Sequence, residues 1–552
     1  MSRIEHACRQ KNLIHQLAIR EAKGRYGGFL IGIYRSAIEW ILASTLSKLT
    51  FLVSIALFTR AIHFFQNQVI ANDGVFYIQL AKLFSEGKYE QIPFSFNLYP
   101  FLLIPIHGLV GDWELSGRLV SITFSTLAVI PIFLLGRSLY DEKVGWFASI
   151  FYLFLPNSLR YSSEVLRDPA AWFFLVLTLW LAWIGAQKNR SILFGAASMS
   201  AGLGSMIRAE SLALWSILIL FIAFRKREGI SFKRRSFNVA LFILVFPIVF
   251  SGFLFFMNNH SSQKGFNALH LYPLFFLKNY TSISLQSQDH IGAIGDKVYK
   301  SLPFASKNFI ELASSHRIIL NASEVVYKFV KSANLLIILI LFGLWKRKKQ
   351  GFELADWYLF CSWATLFGIS IAYAMQVNYF STRHGLTLVI PGLFFAGHGL
   401  IYAAEILSVR TGRFSPKWAP VKKHLLPILA SLMIFVFIIQ ALPADRVDRI
   451  PMKKIGLGLK EKGYHGSTIM GPARLSRLVF YADGRFIEMP DSWENVAQSI
   501  RRDGVRFIVV DVKRIGKDCP GFSENWSRAG LTPFEVPGGG IDKSEIQIYR
   551  TP

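Results

Sequence analysis

Cysteine and the common nucleotide-binding motifs are almost absent from this sequence. The three cysteines, Cys8, Cys361 and Cys519, are too far apart among 552 residues to form a metal-binding or disulfide pattern. There is no glycine-rich phosphate loop, no dinucleotide-binding fingerprint, no Ser-His-Asp arrangement and no zinc spacing. The motifs that identify most soluble nucleotide-dependent or hydrolytic enzymes are therefore missing.

Acidic residues are also scarce, with 35 Asp and Glu against 61 Lys and Arg and a net charge of +26. The excess is not spread evenly, and each basic run lies where an alternating membrane topology requires a cytoplasmic loop. The positive-inside rule therefore accounts for the charge, and we expect no nucleic-acid partner. Contact with anionic lipid is an alternative role for these loops. The basic runs are Arg3 to Lys48, Arg225 to Arg235, Lys346 to Lys349 and Arg410 to Lys423.

Long apolar runs are abundant, since 52% of the residues are hydrophobic and 49 are Phe. Runs of roughly 17 to 25 apolar residues recur, which is enough to cross a hydrocarbon core of ~30 Å. The sequence therefore predicts an α-helical polytopic membrane protein with about eleven spans. The predicted spans are 48–66, 116–137, 144–161, 169–187, 191–207, 209–224, 237–257, 326–345, 356–377, 385–407 and 424–443.

Three regions follow from this pattern: a basic cytoplasmic segment 1–47, a membrane domain 48–443 and a C-terminal region 444–552. In the last region, predicted strands alternate with helices, which is typical of a small α/β domain. The odd number of spans places this domain outside the cytoplasm. The predicted strands are Ser467–Gly471, Arg506–Asp511 and Glu545–Tyr549, and the predicted helices are Pro472–Tyr481 and Trp493–Asp503.

The first extracytoplasmic segment carries Asp73, a few residues after the first span, on a short amphipathic helix that it shares with Tyr77. An acid at the membrane surface is costly and often marks a working site, where it can serve as a general base. The alternative is that Asn72 or Asp73 only caps the helix. Spacing alone favours neither interpretation.

A second acidic group lies in the short loop before the fourth span. If this loop is helical, Glu164, Arg167 and Asp168 are neighbours, and Pro169 suits the first turn of the next helix. Such a group can bind a metal or a phosphate. A local salt bridge at the start of a helix is the alternative, and the residues alone favour it.

Arg208 and Arg383 each lie at the extracytoplasmic end of a span. Arg208 interrupts the irregular stretch 191–224, which we expect to enter the membrane and return as two short helices around a shielded ionic turn. Guanidinium forks suit phosphate, so both arginines are candidates for a lipid-phosphate site. The alternative is snorkelling to the interface, which also applies to Arg60.

With these motifs in order, the chain resembles the GT-C superfamily of polyprenyl-phosphate-dependent glycosyltransferases, over about residues 50–410. The likeness is to the bacterial branch related to protein O-mannosyltransferases and the lipid A aminoarabinose transferase. One departure is that Gly74 follows Asp73 where many members have Glu. The residues that carry the resemblance are Asp73 with Tyr77, Tyr99–Pro100, Leu102, Pro105, Leu139–Gly145, Leu155–Pro156, Leu166–Asp168, Arg208–Glu210 and Arg383–His384.

The resemblance implies inverting transfer of a sugar from a polyprenyl phosphate to a glycan, lipid or protein acceptor at the outer face of a bacterial inner membrane. Asp73 would be the general base. No cofactor is required in this branch, although Glu164 with Asp168 could hold a divalent metal. The implied donor-phosphate ligands are Arg167, Arg208 and Arg383, and the implied substrate contacts are Tyr77, Tyr379 and His384.

Two other functions compete with this interpretation. A lipid or sugar-lipid transporter would show internal repeats and ionisable groups at the midplane, and the sequence shows neither. A non-catalytic assembly protein with the GT-C fold is compatible with the missing Glu after Asp73. The sugar, the acceptor and the carrier length are not determined by the sequence.

Overall fold

The structure is a computed structural model that describes residues 44–88, 97–225, 231–260, 316–377, 379–414, 424–536 and 546–552. Two regions singled out in the sequence, the basic segment 1–47 and the basic run 410–423, lie largely outside these ranges, as does most of the stretch 258–325 between two predicted spans.

Helices make up nearly all of the described chain before residue 442. Residues 209–212 form a short 3-10 turn between two of them. In chain order the helices are α1 (Thr45–Gln66), α2 (Asn72–Ser85), α3 (Leu98–Val110), α4 (Trp113–Leu127), α5 (Val129–Leu139), α6 (Glu142–Phe154), α7 (Pro156–Ser162), α8 (Asp168–Lys188), α9 (Ile192–Ile207), α10 (Ala213–Phe224), α11 (Phe232–His260), α12 (Arg317–Ala333), α13 (Leu336–Gln350), α14 (Leu354–Val377), α15 (Thr382–Phe414) and α16 (Leu425–Ala441).

The prediction of a mostly helical, multi-pass membrane protein is confirmed. Every predicted span falls on one helix or on a pair of consecutive helices. Within the described residues, six helices are long and apolar enough to cross a membrane, and α3, α9, α16 and the helical stretch Ala209–Phe224 are apolar but shorter. The expected eleven full-length spans are therefore not all present as such.

Two predicted spans are wrong as single straight helices. The span 326–345 straddles α12 and α13, which meet at an angle of 104°. Asn334 ends α12 with a φ of 55°, a left-handed conformation that Asn tolerates better than most residues. The span 144–161 is divided at Leu155, because Pro156 favours an extended conformation in the residue before it and starts a new helix.

The connections gather in two groups at opposite ends of the helices. Several segments contact one another directly at one end of the helices, and we call this group the site end. Its segments are 67–71 with α2, 163–167, 208–212, 379–384 and 442–449. At the other end, Tyr140 and Arg347 both bind Asp356. This grouping agrees with the predicted alternation of loops, while the side of the membrane that the site end faces stays a prediction.

After α16 the chain forms the predicted α/β region. Its helices are α17 (Ile450–Glu461), α18 (Ser476–Tyr481), α19 (Trp493–Asp503), α20 (Ile515–Asp518) and α21 (Phe522–Asn525). Its strands are β1 (Thr468–Gly471), β2 (Arg485–Glu488), β3 (Phe507–Asp511), β4 (Thr532–Pro533) and β5 (Ile546–Arg550).

The five strands form one mixed sheet in the order β2-β1-β3-β5-β4. The pairs β1–β2 and β1–β3 are parallel, whereas β5 runs antiparallel to β3 and β4. Side chains alternate along β3, so that Phe507 and Val509 pack with α17 and α18 while Ile508 and Val510 pack with α19. Both faces of the sheet are therefore covered by helices.

The α/β region packs against the site end through α18. Tyr481 is buried in the same apolar cluster as Ile70, Tyr77 and Val165. Its hydroxyl accepts a hydrogen bond from the backbone N–H of Ile70 at 2.8 Å. The site end thus receives residues from both the membrane helices and the C-terminal region.

Candidate active site

Asp73 lies in the first turn of α2, and its side chain is 42% exposed. The N-cap residue is Ala71, with no side-chain cap hydrogen bond, so the alternative that Asn72 or Asp73 caps the helix is wrong. Instead, an Asp73 Oδ2 oxygen accepts a hydrogen bond from Arg383 Nη2 at 2.5 Å. The carboxylate is therefore held by a residue 310 positions away, at the mouth of the site.

Arg383 is positioned by the way α15 begins. Ser332 at the end of α12 donates a hydrogen bond to the Thr382 carbonyl at 2.5 Å. Gly385 lies so close to α12 that an added Cβ would be 2.6 Å from the Lys328 carbonyl oxygen. The absence of a side chain at Gly385 lets the two helices meet, and the guanidinium of Arg383 reaches Asp73 from there.

Behind this pair runs a chain of alternating charges. Arg383 Nε lies 3.9 Å from Asp168 Oδ2, Asp168 Oδ1 is paired with Arg208, and Arg208 Nη2 contacts Glu210 Oε1 at 2.9 Å. The exposed fractions fall from 42% for Asp73 and 23% for Arg383 to 1% for Asp168 and 5% for Arg208. Asp73 is thus the carboxylate of this chain that a substrate can reach most easily.

Arg208 sits at the break between α9 and the 3-10 turn, with extended backbone angles. The predicted interruption of the stretch 191–224 is therefore present, and its ionic groups are shielded by protein. Two carboxylates hold Arg208, which argues against the direct phosphate contact predicted for it. Snorkelling is also wrong, both for Arg208 and for Arg60, which is fully buried and donates to Ser125 Oγ.

The loop with Glu164, Arg167 and Asp168 is not helical between residues 163 and 167, so the expected i, i+3, i+4 grouping is wrong. Glu164 is buried and binds Arg446 Nη1 with both oxygens, at 2.6 and 2.7 Å. Burial raises the pKa of Glu164 above its usual value, and the Arg446 charge opposes this rise. Arg167 donates to the Ile207 carbonyl at 3.2 Å. Neither acid forms the local salt bridge that the sequence favours.

A divalent metal at Glu164 and Asp168 does not fit this arrangement. Each carboxylate already has guanidinium partners, Arg446 for Glu164 and Arg208 with Arg383 for Asp168, and these cations would repel a metal ion. Within the described ranges, no three His, Cys, Asp or Glu side chains are grouped so that they could hold a metal.

The three expected substrate contacts have different environments. Tyr77 is buried beside Tyr99, and burial raises the pKa of its hydroxyl. His384 is also buried, and it lines a small cavity with Arg208, Glu210 and Tyr373. Tyr379 is 56% exposed. Only Tyr379 of the three presents much surface to a ligand.

At Gly74, where many members of the superfamily have Glu, the surrounding packing leaves no room for a side chain. A Cβ at this position would lie 2.9 Å from both Ile70 Cγ1 and Val165 Cβ, and 3.0 Å from the Val165 carbonyl oxygen. From the other side, a Cβ at Gly117 would lie 2.5 Å from Val165 Cγ1. Val165 is therefore enclosed between two glycines, and no glutamate can follow Asp73 in this structure.

Sequence reasoning missed several groups of the site. Arg446 and Tyr481 belong to the C-terminal region, and their contacts with Glu164 and Ile70 span 282 and 411 residues. Glu210 belongs to the motif Arg208–Glu210, but the sequence gives it no role of its own. The pair Asp445–Arg446, directly after the last span, is the signal that could have pointed to Arg446.

Comparisons with known proteins add the following. The family described as dolichyl-phosphate-mannose-protein mannosyltransferase matches residues 97–256, which include Glu164, Asp168 and Arg208 but neither Asp73 nor Arg383. A search of curated proteins finds no match. The structure of ArnT from Cupriavidus metallidurans bound to undecaprenyl phosphate is similar, with a TM-score of 0.55, 11% identity, and coverage of 92% of this chain and 98% of that chain.

The protein has the GT-C fold. The Archaeoglobus fulgidus oligosaccharyltransferase in complex with Zn and sulfate is also similar, with a TM-score of 0.53, 12% identity, and coverage of 84% of this chain and 68% of that chain. The oligosaccharyltransferase AglB from Archaeoglobus fulgidus, in complex with an inhibitory peptide and a dolichol-phosphate, has a TM-score of 0.51, 11% identity, and coverage of 90% of this chain and 74% of that chain. The resemblance to the GT-C superfamily is confirmed.

Proposed function

We propose that this GT-C protein is a membrane glycosyltransferase that moves a sugar from a polyprenyl phosphate to an acceptor, with inversion, and that Asp73 is its general base. The observation that carries the proposal is the Asp73–Arg383 pair. It is a partly exposed carboxylate beside a guanidinium, at the open end of a buried charge chain. A base and a phosphate-binding group are therefore adjacent, as transfer from a phosphate donor requires.

Two similar structures support the lipid-linked donor. ArnT from Cupriavidus metallidurans was crystallised with undecaprenyl phosphate, and AglB from Archaeoglobus fulgidus is known in complex with a dolichol-phosphate. The match to the mannosyltransferase family also supports sugar transfer. The sugar and the acceptor class, whether glycan, lipid or protein, are left open by this proposal.

In the proposed reaction, an acceptor hydroxyl attacks the anomeric carbon of the donor sugar. Its proton passes to the Asp73 carboxylate as the new C–O bond forms, and the bond from the anomeric carbon to the phosphate oxygen breaks. Polyprenyl phosphate leaves with the electron pair of that bond. No metal takes part in any of these steps.

Arg383 has the leading role toward the phosphate, and Arg167, which precedes Asp168 in the chain, is a second candidate ligand. Arg383 is partly exposed, and its fork can stabilise the negative charge that develops on the leaving group. Arg208 acts indirectly, because it is buried, its guanidinium is held by Asp168 and Glu210, and Asp168 links it to Arg383. Asp168 thus orients both arginines.

The orientation belongs to the proposal as well. We infer that the site end faces the periplasmic side of a bacterial inner membrane, with residues 444–552 outside the cytoplasm and residues 1–47 inside. The basic run Lys346–Lys349, which lies at the opposite end where Arg347 binds Asp356, supports this assignment through the positive-inside rule, as do the sequence positions of the other basic runs.

The test is Asp73→Asn in purified full-length protein. The substitution keeps the size of the side chain, and no cap is lost because Asp73 does not cap α2. Removing the base should lower turnover by about 10²-fold or more. The measurement is sugar transfer from lipid-linked donor extracted from the membranes of the native cell.

Asp483→Asn is a matched control. Asp483 is also an exposed acid paired with a cation, Lys82, and its φ of 51° suits Asn. The control should retain wild-type turnover, and both variants should melt near the wild-type temperature. Turnover of Asp73→Asn within a few-fold of the control, at saturating donor and acceptor, would show that Asp73 is not the base.

A further inference from the structure

A second positively charged cluster lies where the C-terminal region meets the site end, and the proposed transfer reaction does not use it. Its centre is Arg477, whose side chain is only 5% exposed. The Nε and Nη1 atoms of Arg477 are buried and have no hydrogen-bond partner in the part of the chain that the structure describes. Buried hydrogen-bond donors without a partner are costly, so their presence calls for a ligand.

The helix geometry shows where Arg477 is aimed. Arg477 and Tyr481 are four residues apart on α18 and share one face of the helix. The Tyr481 hydroxyl accepts from the Ile70 N–H, so this face is turned toward segment 67–71 of the site end. Arg477 therefore points into the contact between the two regions, away from solvent.

Two further arginines border the same space. Arg446 binds Glu164 and also donates to the Val69 carbonyl at 3.1 Å. Arg449 follows three residues later on the turn Val447–Arg449, is 35% exposed and makes only a long contact, 3.4 Å, with Asp448.

The charges of this cluster do not balance. Burial, followed by the nearby charges of Arg449 and Arg446, lowers the pKa of Arg477 to about 10, while Glu164 opposes this effect. Two acids pair with these arginines, the buried Glu164 with Arg446 and the exposed Asp448 with Arg449. The neighbouring Asp445 is paired with Arg160 instead. The cluster keeps an excess of positive charge.

We propose that Arg477, Arg449 and Arg446 form a binding site for an oxyanion, in particular a phosphate group. Guanidinium groups match phosphate oxygens, and the unpartnered Nε and Nη1 of Arg477 are donors available to such oxygens. The phosphate can come from the headgroup of an anionic phospholipid or from a soluble phosphorylated compound. The inference does not depend on sugar transfer.

The experiment measures the melting temperature of full-length protein in detergent, with inorganic phosphate and with sodium chloride of equal ionic strength. Phosphate at about ten times its Kd should raise the Tm of the wild type by about 2 °C. The surface control Arg501→Ala and the active-site variant Arg383→Ala should show the same rise. Arg477→Met should show none, because the buried donors are gone.

The variant also separates ligand binding from a structural role. In chloride, Arg477→Met should melt at or above the wild-type temperature, since it removes an unpaired buried charge. If Arg477→Met does not fold, Arg449→Ala is the alternative variant, because the Arg449 side chain lies at the rim of the cluster. Arg449→Ala should weaken phosphate binding several-fold, as measured from the rise in Tm. An unchanged rise in both variants, or loss of the rise in Arg383→Ala instead, would overturn the site.

The two sources of phosphate are distinguished with soluble short-chain lipids. Dihexanoyl phosphatidylglycerol, compared with dihexanoyl phosphatidylcholine, should raise the Tm in an Arg477-dependent way if a lipid headgroup is the ligand. A rise with inorganic phosphate alone identifies a soluble phosphorylated compound. If neither raises the Tm of the wild type, the cluster is no phosphate site. Using the Asp73→Asn protein in parallel keeps this result independent of catalysis.

Discussion

The packing around Gly74 makes a sharp prediction about α2, the helix that carries Asp73. Gly74→Ala adds one methyl group where Ile70 Cγ1 and Val165 Cβ would each be 2.9 Å away. Real Cβ atoms do not approach so closely, so α2 or the loop with Val165 must shift. We expect the variant to be less stable and to displace Asp73 from Arg383.

The free-energy cost of the close approach can be isolated by comparison with a second glycine. Gly108, in the last turn of α3, has no atom within 4 Å of an added Cβ. Both substitutions gain up to about 1 kcal/mol from the higher helix propensity of Ala. Only Gly74→Ala also overpacks its surroundings, at about 1 to 3 kcal/mol. The difference between the two variants is therefore the cost of the close approach.

The assay is thermal unfolding of both variants in the same detergent, followed by donor turnover. Gly108→Ala should melt at or above the wild-type temperature, and Gly74→Ala clearly below it, with reduced turnover. Gly74→Glu, which restores the acid common in the superfamily, should be worse than Gly74→Ala. Equal melting temperatures for Gly74→Ala and Gly108→Ala would refute the packing argument.

Three more predictions concern other parts of the molecule. Arg383→Ala should weaken donor binding by about 1.5 to 3 kcal/mol in a donor titration. Arg208→Ala should instead mainly lower the melting temperature, because it leaves buried acids unpaired. Equal losses of donor binding in the two variants would show that Arg208 is a phosphate ligand. Reporter fusions at Pro552 and in the 225–235 loop should report opposite sides of the membrane, and the same side for both would overturn the orientation. Asp356→Ala, at the end opposite the site, removes the partner of Arg347 and should lower stability by about 1.5 to 3 kcal/mol in a melting assay, with turnover of the folded fraction unchanged.

Local signals in the sequence were sufficient for most of the fold. The apolar runs identify the helices, and the interruption at Arg208 is visible because a charged group divides a short apolar stretch. The helix Trp493–Asp503 has the predicted bounds, since Ser492 caps its start and Gly504 ends it in a left-handed conformation. Apolar composition and helix-capping residues act within a few residues of the chain, so the helices that they determine can be predicted from the sequence.

The features that were missed depend on distant parts of the chain. The bend at Asn334 separates α12, whose apolar residues alternate with Lys328 and Lys331, from the apolar start of α13. Strand β2 is recognisable only from its pairing with β1. The partners of Glu164 and Asp168 lie 282 and 40 residues further along the chain. Sequence spacing suggested a local ionic cluster there, whereas tertiary contacts decide which charges meet.

The same separations set an order in which the site can be completed during synthesis. Asp168 meets Arg208 only 40 residues later, so this pair can form as α8 and α9 enter the membrane together. Arg383 is synthesised 310 residues after its partner Asp73, which takes roughly 15 to 60 s at the usual rates of translation. Arg446, the partner of Glu164, is synthesised only after α16. The site of the nascent chain therefore stays incomplete until just over four-fifths of the chain has been translated. A truncated product ending before Arg446 would reach the membrane without the contacts that fix the loop of the site.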